Sequence, residues 1–474
     1  MMTDISDWLR DCQQHDYDLS TKHGRKRPNP DYQQLLTPEL SGASMDSEDR
    51  EITTPRKKRQ KRSETNDISD PDRTPLAAPL LPSDSHSITS SDASTTSRQS
   101  SPSKRMLQLE ISTYNPLSVV QMNKRDPRMP RPLKTMLAQL STFQRGIEVV
   151  PKQLALDIQA RQRSSEDNVA HAQPDSEDAE FDDFGPAVFC PDDDAPFWHP
   201  IKLDAIFDIL SANQLCTNDL HPESSWNMLV HWPIFKLALG TAGTDIPVPP
   251  TTAPPRTTSM PSAGLHTPAT GTASPTLPRT TSVRASCVPC TTARITGRSR
   301  GSKMVDFCIA LQPDDSYSTS IRELRRRTNG STANHTDFYP LRDKPIIISA
   351  ESKKLGEGLL EASVQVGVWQ SAQWSLLNSQ CQSVSKRSDG KGKGKGNTSD
   401  LPFLPALFIQ GSQWSFAATT KQDDQTLLWS QQSIGTSDTA LGMFQIIRTL
   451  RYLAEWSATV HWPWYELEIL SSNK

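Results

Sequence analysis

Long apolar runs are absent from this sequence of 474 residues, of which 35% are hydrophobic. No stretch is long enough to span a bilayer and no signal peptide is present, so we expect neither a membrane protein nor a secreted one. The seven cysteines are scattered and lack a paired framework, which favours a reducing intracellular compartment. The net charge of −3 indicates no partner class, because basic and acidic runs are segregated along the chain.

Two further kinds of site are missing. The close pair Cys287 and Cys290 reads CVPC, but no second Cys/His pair at zinc spacing lies nearby, so the sequence offers only half a zinc site. A strand-to-helix elbow with a nucleophilic Ser or Cys is absent as well, which speaks against a hydrolase of small substrates. Any catalytic chemistry must therefore come from other residues.

Composition divides the chain into three parts. Residues 1–105 are rich in Ser, Thr, Pro and charge, and we predict a disordered tail because they cannot bury enough apolar surface. Its basic run at residues 55–62, PRKKRQKR, is typical of a nuclear import signal, with a solvated charge run as the alternative. Residues 106–196 read as a helical lead-in and an acidic linker. Nine of the 11 tryptophans lie from Glu223 onward, and we predict the main folded domain over residues 197–474.

Two stretches without periodicity interrupt the predicted domain. Residues 245–285 are rich in Thr, Pro and Ser, and residues 385–397 are rich in Gly and Lys, as is typical of loop insertions. Around them the hydrophobic pattern predicts the order helix, strand, strand, strand, helix, strand, strand, helix. This order favours an α/β fold in which helices flank a mixed sheet.

The stretch Pro345 to Lys353, PIIISAESK, carries the strongest chemical signal. Three isoleucines behind a proline predict a short buried strand, and the two-residue period places Glu351 and Lys353 on one face. A carboxylate and an amine that point the same way can share a metal-bound water, as metal-dependent phosphodiester cleavage requires. An ordinary strand that ends in solvated charges is the alternative.

Three polar residues elsewhere are further candidates. Asp306 lies in the apolar run KMVDFCIAL, where a buried carboxylate is costly unless it is paired or binds a metal; a strand-end carboxylate in solvent is the alternative. Glu223 begins a predicted helix that Pro233 should kink, and favourable charge at the helix start would also explain it. Gln365 lies on the face of a later helix that can point toward Glu351, unless it is a surface glutamine.

Several segments, taken in order, resemble the PD-(D/E)XK nuclease superfamily, and more closely its nuclease-like domains in fungal proteins. They read ESSWNMLVH, TTARI, KMVDFCIAL, NHTDFYPL, PIIISAESKK and LPFLPALFIQG, within residues 133–465. The resemblance implies a restriction-endonuclease-like core of helix, three strands, helix and strand, which agrees with the periodicity. Forty-four residues separate Asp306 from Glu351, and we interpret this excursion as an insertion that holds the arginine cluster Arg322 to Arg327.

The resemblance also implies a reaction, the metal-dependent hydrolysis of nucleic-acid phosphodiester bonds. Asp306, Glu351 and the carbonyl of Ser352 would bind one or two Mg²⁺ or Mn²⁺ ions, which polarise the phosphate and lower the pKa of a bound water. Lys353 resembles the catalytic lysine, which orients that water or stabilises the charge of the pentavalent state.

Two helix residues complete the site that the resemblance implies, because Glu223 and Gln365 resemble the polar residues that two helices add. We therefore expect a nuclear nuclease that acts on nucleic acid, in the first place DNA; a homodimer would be needed for double-strand cuts with one site per subunit. Two alternatives stay open: a non-catalytic nucleic-acid-binding or chromatin-associated module on the same fold, and a regulatory scaffold whose tail recruits partners. Intact Asp306, Glu351 and Lys353 favour the enzyme.

Overall fold

The computed structural model describes residues 101–471, with gaps at residues 114, 168–179, 250–280, 297–304, 329, 357 and 386–400. The predicted tail up to residue 100, its basic run, and most of both predicted insertions lie outside the described residues. Among the helices of the described ranges, none combines the length and hydropathy that a membrane span requires.

One sheet forms the centre of the described residues, with its eight strands in the order β1-β8-β7-β6-β5-β4-β3-β2. The strands are β1 (Leu117–Gln121), β2 (Thr244–Pro247), β3 (Ser282–Pro289), β4 (Phe307–Pro313), β5 (Ile346–Lys353), β6 (Leu404–Gln410), β7 (Gln413–Gln422) and β8 (Gln425–Thr436). The pairs β1–β8 and β5–β6 are parallel, and the other neighbours are antiparallel. The prediction of an α/β fold with a mixed sheet is confirmed.

Helices cover both faces of this sheet. Those of the described residues are α1 (Pro102–Glu110), α2 (Arg131–Gln144), α3 (Ala155–Asp167), α4 (Leu203–Asn218), α5 (Glu223–Trp226), α6 (Trp232–Leu239), α7 (Ser318–Arg327), α8 (Leu359–Ser385), α9 (Ala440–Trp456) and α10 (Trp462–Tyr465). The buried residues of α8 from Ala362 to Ala372 pack into one cluster, whereas α2, α4, α6 and α9 pack into a second, which also takes Trp374, Leu377 and Cys381 from the later part of α8.

The strand β4 shows how the sheet separates these two clusters. Phe307 and Ile309 belong to the cluster that contains α2, α4, α6 and α9. The alternate residues Cys308 and Ala310 belong to the other cluster, which contains the first half of α8. Because side chains alternate between faces, a strand buried on both sides reads as one continuous apolar run. This is why KMVDFCIAL and PIIIS look uniformly hydrophobic in the sequence.

The Thr/Pro-rich insertion is shorter than predicted. Its first residues belong to β2 and its last to β3, and the two strands pair antiparallel, with Asp245 opposite Arg284 and Ile246 opposite Val283. The predicted insertion at about residues 245–285 therefore includes a few strand residues at each end. Ile246 and Val283 are buried, so each end has the alternation of an edge strand despite its polar composition.

Two strands at the other edge of the sheet were not predicted. β8 carries the sequence QTLLWSQQSIGT, whose glutamines and serines interrupt the apolar pattern, and β1 pairs with it in parallel. The helices that precede Phe197 also add side chains to the core, among them Leu137, Phe143 and Ile158. The packing of the described residues therefore shows no break at Phe197.

Candidate active site

Asp306 directly precedes β4, where that strand meets the end of β5. Its backbone N–H donates a hydrogen bond to the Ala350 carbonyl at 3.0 Å, which extends the β4–β5 ladder by one residue. Its side chain is fully buried, and its Oδ2 accepts hydrogen bonds from the Ser352 N–H at 3.0 Å and the Ser352 hydroxyl at 2.7 Å. The alternative of a carboxylate in solvent was therefore wrong.

Glu351 and Lys353 lie at the end of β5, as the period of the strand predicts. Glu351 is fully buried, whereas 12% of the Lys353 side chain is exposed. The Lys353 ammonium donates to Glu351 Oε1 and, at 2.9 Å, to the carbonyl oxygen of Ser352. The lysine therefore connects the buried carboxylate with the surface, which is the geometry expected of a group that meets a substrate there.

Glu223 joins this pair from a distant part of the chain. Its Oε2 lies 3.6 Å from the Lys353 ammonium, and 29% of its side chain is exposed. A cleft of about 580 Å³ opens at this ion pair. The residues that line this Lys353 cleft are Leu220, Pro222, Glu223, Lys353, Lys354, Gly358 and Glu361. The favourable interaction of a carboxylate with the helix start is therefore not the whole reason for an acidic residue at position 223.

The helix that carries Glu223 widens into a π turn just before Pro233. α5 and α6 are joined by a π turn at Asn227–His231, in which the Trp232 N–H donates to the Asn227 carbonyl five residues back. A proline has no N–H and its ring collides with the carbonyl four residues earlier, so a wider turn accommodates it. The helix is therefore irregular at the turn before Pro233, between Glu223 and α6, whereas the predicted kink stays a prediction.

Burial and charge act on the two titratable groups at the end of β5. Desolvation raises the pKa of Glu351 well above its usual value, and the nearby Asp306 carboxylate raises it further, while Lys353 opposes both. For Lys353, desolvation lowers the pKa, but the attraction of Glu351, Glu223 and Asp306 together outweighs it and the net pKa is raised. Lys353 is therefore a charged ammonium at neutral pH, beside carboxylates that need positive charge.

The oxygens of this site fit a hard cation better than they fit zinc. Glu351 Oε2 is buried and has no hydrogen-bond partner among the described residues, so a bound cation would satisfy it. Two carboxylates and the carbonyl of Ser352 are the type of donor that Mg²⁺ and Mn²⁺ prefer. The described residues contain no cluster of three or more His, Cys, Asp or Glu side chains with metal-site geometry. The donor set therefore depends on the backbone carbonyl and on water or substrate oxygens.

Gln365 lies on α8, one turn beyond the cleft residue Glu361, and 9% of it is exposed. Residues four apart share a helix face, so Gln365 faces the same side as Glu361. Its role in the site stays a prediction. Glu361 was not predicted as a cleft residue, although its position four residues before Gln365 on the helix could have suggested it.

The arginine cluster follows the opposite end of β4. That strand spans seven residues from Phe307, about 23 Å, and α7 begins after it at Ser318. The start of α7 is thus separated from Asp306 by the length of the strand. The excursion between Asp306 and Glu351 does hold the arginines, but it carries their helix away from the end of the sheet where the two carboxylates meet.

His231 is a buried polar residue beside the site that the sequence reasoning missed. It lies in the π turn, and its Nε2 is 2.8 Å from the carbonyl oxygen of Gly411. The tetrapeptide Val-His-Trp-Pro occurs twice, at residues 230–233 and 460–463, and both copies form the same π turn. This repeat was the available signal.

The fold and the site together define a class of protein: an α/β sheet that brings two carboxylates and a lysine together at the ends of adjacent strands. A model of the PD-(D/E)XK nuclease superfamily matches residues 166–462, more than half of the chain. The chain belongs to this superfamily. A search of curated proteins and a search of solved structures found no match. The narrower likeness to fungal members stays a prediction.

Proposed function

We propose that this protein is a metal-dependent nuclease that hydrolyses phosphodiester bonds of nucleic acid, with DNA as the first candidate substrate. The observation that carries the proposal is the meeting of Asp306, Glu351 and Lys353 at adjacent strand ends, beside an open cleft. Family membership supports it, because Asp306 and the triplet Glu351–Ser352–Lys353 resemble the D and E-x-K of the superfamily's name. A buried carboxylate pair is costly to fold, and a metal site accounts for that cost.

Three groups of this chain would hold the ion: the carboxylates of Asp306 and Glu351 and the carbonyl of Ser352. When bound, Mg²⁺ or Mn²⁺ supplies polarisation of the phosphate and a lowered pKa of the attacking water. Ser352 has a second task, because its N–H and hydroxyl both donate to Asp306 Oδ2 and fix the direction of that carboxylate. The other oxygen of Asp306 is thereby aimed in one direction.

Lys353 is the residue of this site that would contact the substrate phosphate or the attacking water. Its ammonium reaches the Lys353 cleft while it contacts Glu351 and Glu223, so it can orient a water or stabilise charge on the phosphate. Glu223 holds the ammonium from the solvent side of the cleft. An ammonium fixed between two carboxylates keeps its proton at neutral pH and so acts by charge and hydrogen bonding rather than as a base.

The test is cleavage of labelled single- and double-stranded DNA and RNA by the full chain, with Mg²⁺, Mn²⁺ or EDTA. We expect metal-dependent cutting in the wild type, and losses of at least a hundredfold in Glu351→Ala and Lys353→Ala. Lys344→Ala is the matched control, because Lys344 lies just before the opposite end of β5 and should cut normally. Binding of nucleic acid without cutting, equal in all variants, would instead support the non-catalytic module.

Two further properties belong to this proposal. A homodimer would place one site on each strand of a duplex, and light scattering of the protein with and without duplex DNA tests it. Nuclear import would use the basic run at residues 55–62. A tagged chain with Lys57, Lys58 and Arg59 replaced by Ala should leave the nucleus, and unchanged localisation would show that another segment directs import.

A further inference from the structure

His231 is tied by both ring nitrogens to groups on different elements. The ring is fully buried, stacked on Trp226 at 5.9 Å between centroids and edge-on to Trp414 at 5.7 Å. Nδ1 lies 2.8 Å from the side-chain oxygen Oδ1 of Asn227, and Nε2 lies 2.8 Å from the carbonyl oxygen of Gly411. A side chain held by two aromatic rings and two hydrogen bonds has one orientation.

The hydrogen bonds also define the protonation of the ring. A carbonyl can only accept, so Nε2 must carry the hydrogen that Gly411 receives. Burial lowers the pKa of His231 to about 4, so the ring is neutral at pH 7 and Nδ1 is an acceptor. The atom that faces Nδ1 is the amide oxygen Oδ1 of Asn227, which can only accept, so Asn227 would donate to Nδ1 only after its amide turns over. The donor that the geometry defines is the Nε2–H of His231, which faces the Gly411 carbonyl.

Gly411 passes this connection to the active site. It lies between β6 and β7, and its own N–H donates to the Lys353 carbonyl at 3.0 Å. Its φ of +55° suits glycine, and a Cβ there would lie 3.0 Å from Leu355 Cβ. One histidine therefore links the helix that begins at Glu223 with the strand that ends at Lys353, through a single residue.

The second Val-His-Trp-Pro copy shows that the π turn does not itself need these bonds. His461 occupies the same position of the turn Ser457–His461, and the Trp462 N–H donates to the Ser457 carbonyl as its counterpart does. His461 is equally buried, but neither ring nitrogen has a hydrogen-bond partner among the described residues. The hydrogen bonds of His231 are therefore additional to what the sequence motif requires.

We propose that His231 is a positioning residue that holds Glu223 against Lys353 and thereby sets the geometry of the acidic site. The inference rests on the proposed nuclease function for its catalytic consequence. His231 touches neither substrate nor metal in this scheme; it acts through Gly411 and through the helix register of α5. Its loss should change how the site responds to metal and leave nucleic-acid binding alone.

The experiment compares three variants of the full chain: His231→Phe, which keeps an aromatic ring, His231→Gln, which keeps a donor for Gly411, and the matched control His461→Phe. In His231→Phe we expect the Mn²⁺ concentration for half-maximal cleavage to rise about tenfold, with the KM for DNA unchanged within about twofold. His231→Gln should recover most of this loss. His461→Phe should lose stability but keep the wild-type response to Mn²⁺.

Hydrogen exchange of the same metal-free proteins separates this inference from the proposed function. We expect exchange in residues 223–231 to rise about tenfold in His231→Phe and to return toward wild type in His231→Gln. His461→Phe should open residues 457–465 instead. If the wild type does not cut any substrate, the nuclease proposal fails and the exchange pattern alone decides the role of His231. Unchanged exchange over residues 223–231, or equal Mn²⁺ responses in both Phe variants, would overturn the inference.

Discussion

At the scale of single residues, the ammonium of Lys353 is the counter-ion of the site. It contacts Glu351 and the Ser352 carbonyl and lies 3.6 Å from Glu223 Oε2. Two of these groups, Glu351 and the Ser352 carbonyl, are also proposed to hold a divalent ion. The ammonium and the ion therefore compete for these oxygens, and metal binding should weaken the contacts of Lys353 with Glu351 and the Ser352 carbonyl while its contact with Glu223 remains.

Lys353→Met tests this competition. Without metal, the variant should lose about 1–3 kcal/mol of unfolding free energy, because the buried Glu351 carboxylate loses its partner. Excess Mn²⁺ should then raise the unfolding temperature more in the variant than in the wild type, since no ammonium opposes the ion. Thermal unfolding with Mn²⁺ or EDTA measures both effects, with Lys344→Met as the control. Equal Mn²⁺-induced shifts in the wild type and the variant would show that Lys353 and the metal do not compete.

Ser352→Ala tests how much the Asp306 carboxylate depends on its hydroxyl donor. Removal of a hydrogen bond to a buried carboxylate should cost about 1.5–3 kcal/mol of unfolding free energy in urea titrations. Ser349→Ala is the matched control, since Ser349 is equally buried on β5 and its hydroxyl has no hydrogen-bond partner among the described residues. Similar losses in both variants would mean that the hydroxyl does not hold Asp306.

At the scale of elements, two glycines let α9 lie directly on β8. A Cβ on Gly442 would be 2.2 Å from the Thr436 carbonyl oxygen, and a Cβ on Gly435 would be 2.5 Å from the Gly442 carbonyl oxygen. Both obstacles are backbone atoms, which cannot turn aside as the end of a side chain can. The contact therefore fixes the distance between β8 and α9.

Gly442→Ala should destabilise the protein although alanine is the better helix former. The gain in helix propensity is about 1 kcal/mol, but the clash with a backbone oxygen forces α9 and β8 apart and should cost more, for a net loss of about 1–3 kcal/mol. Chemical denaturation measures it. Gly185→Ala is the control, because its φ is −82° and no described atom lies within 4 Å of the new Cβ. A stabilised Gly442→Ala variant would contradict the close contact.

At the scale of the whole molecule, three buried histidines make the fold sensitive to acid. Burial lowers the pKa of His231 to about 4 and the pKa of both His335 and His461 to about 3. An unfolded histidine titrates near pH 6.5, so below that pH the unfolded chain binds protons that the folded chain does not. The contribution of these histidines to the unfolding free energy is therefore fully present above about pH 6.5, and it falls as the pH decreases toward 4.

The expected loss is up to about 1.4 kcal/mol per pH unit for each histidine. Urea unfolding between pH 7 and pH 5 measures the total slope, and His335→Phe should reduce it by the share of one histidine. His335 is suited to this test because its ring packs edge-on against Trp369 at 4.3 Å and neither nitrogen has a hydrogen-bond partner among the described residues. An unchanged slope in the variant would show that His335 is protonated in the folded state.

Local patterns were sufficient for the parts of the site that lie on one element. Three isoleucines after a proline specify β5, and the strand period then sets Glu351 and Lys353 side by side. Pro233 disturbs its helix through its own ring, so that feature also needs no neighbour. The polar strand β8 and the ends of β2 and β3 were missed because their burial depends on which strand lies next to them, which a single segment does not show.

The sequence by itself determined the α/β class, the strand that ends in Glu351 and Lys353, and the buried carboxylate Asp306, because burial and period are local properties of these segments. Only the tertiary structure decided that Glu223 forms an ion pair with Lys353, 130 residues later in the chain. The same holds for the contact of His231 with the Gly411 carbonyl, 180 residues later. Such contacts depend on which chain ends the folded sheet and helices bring together. No spacing in the sequence predicts these two contacts, because strand pairing and helix packing depend on the whole core.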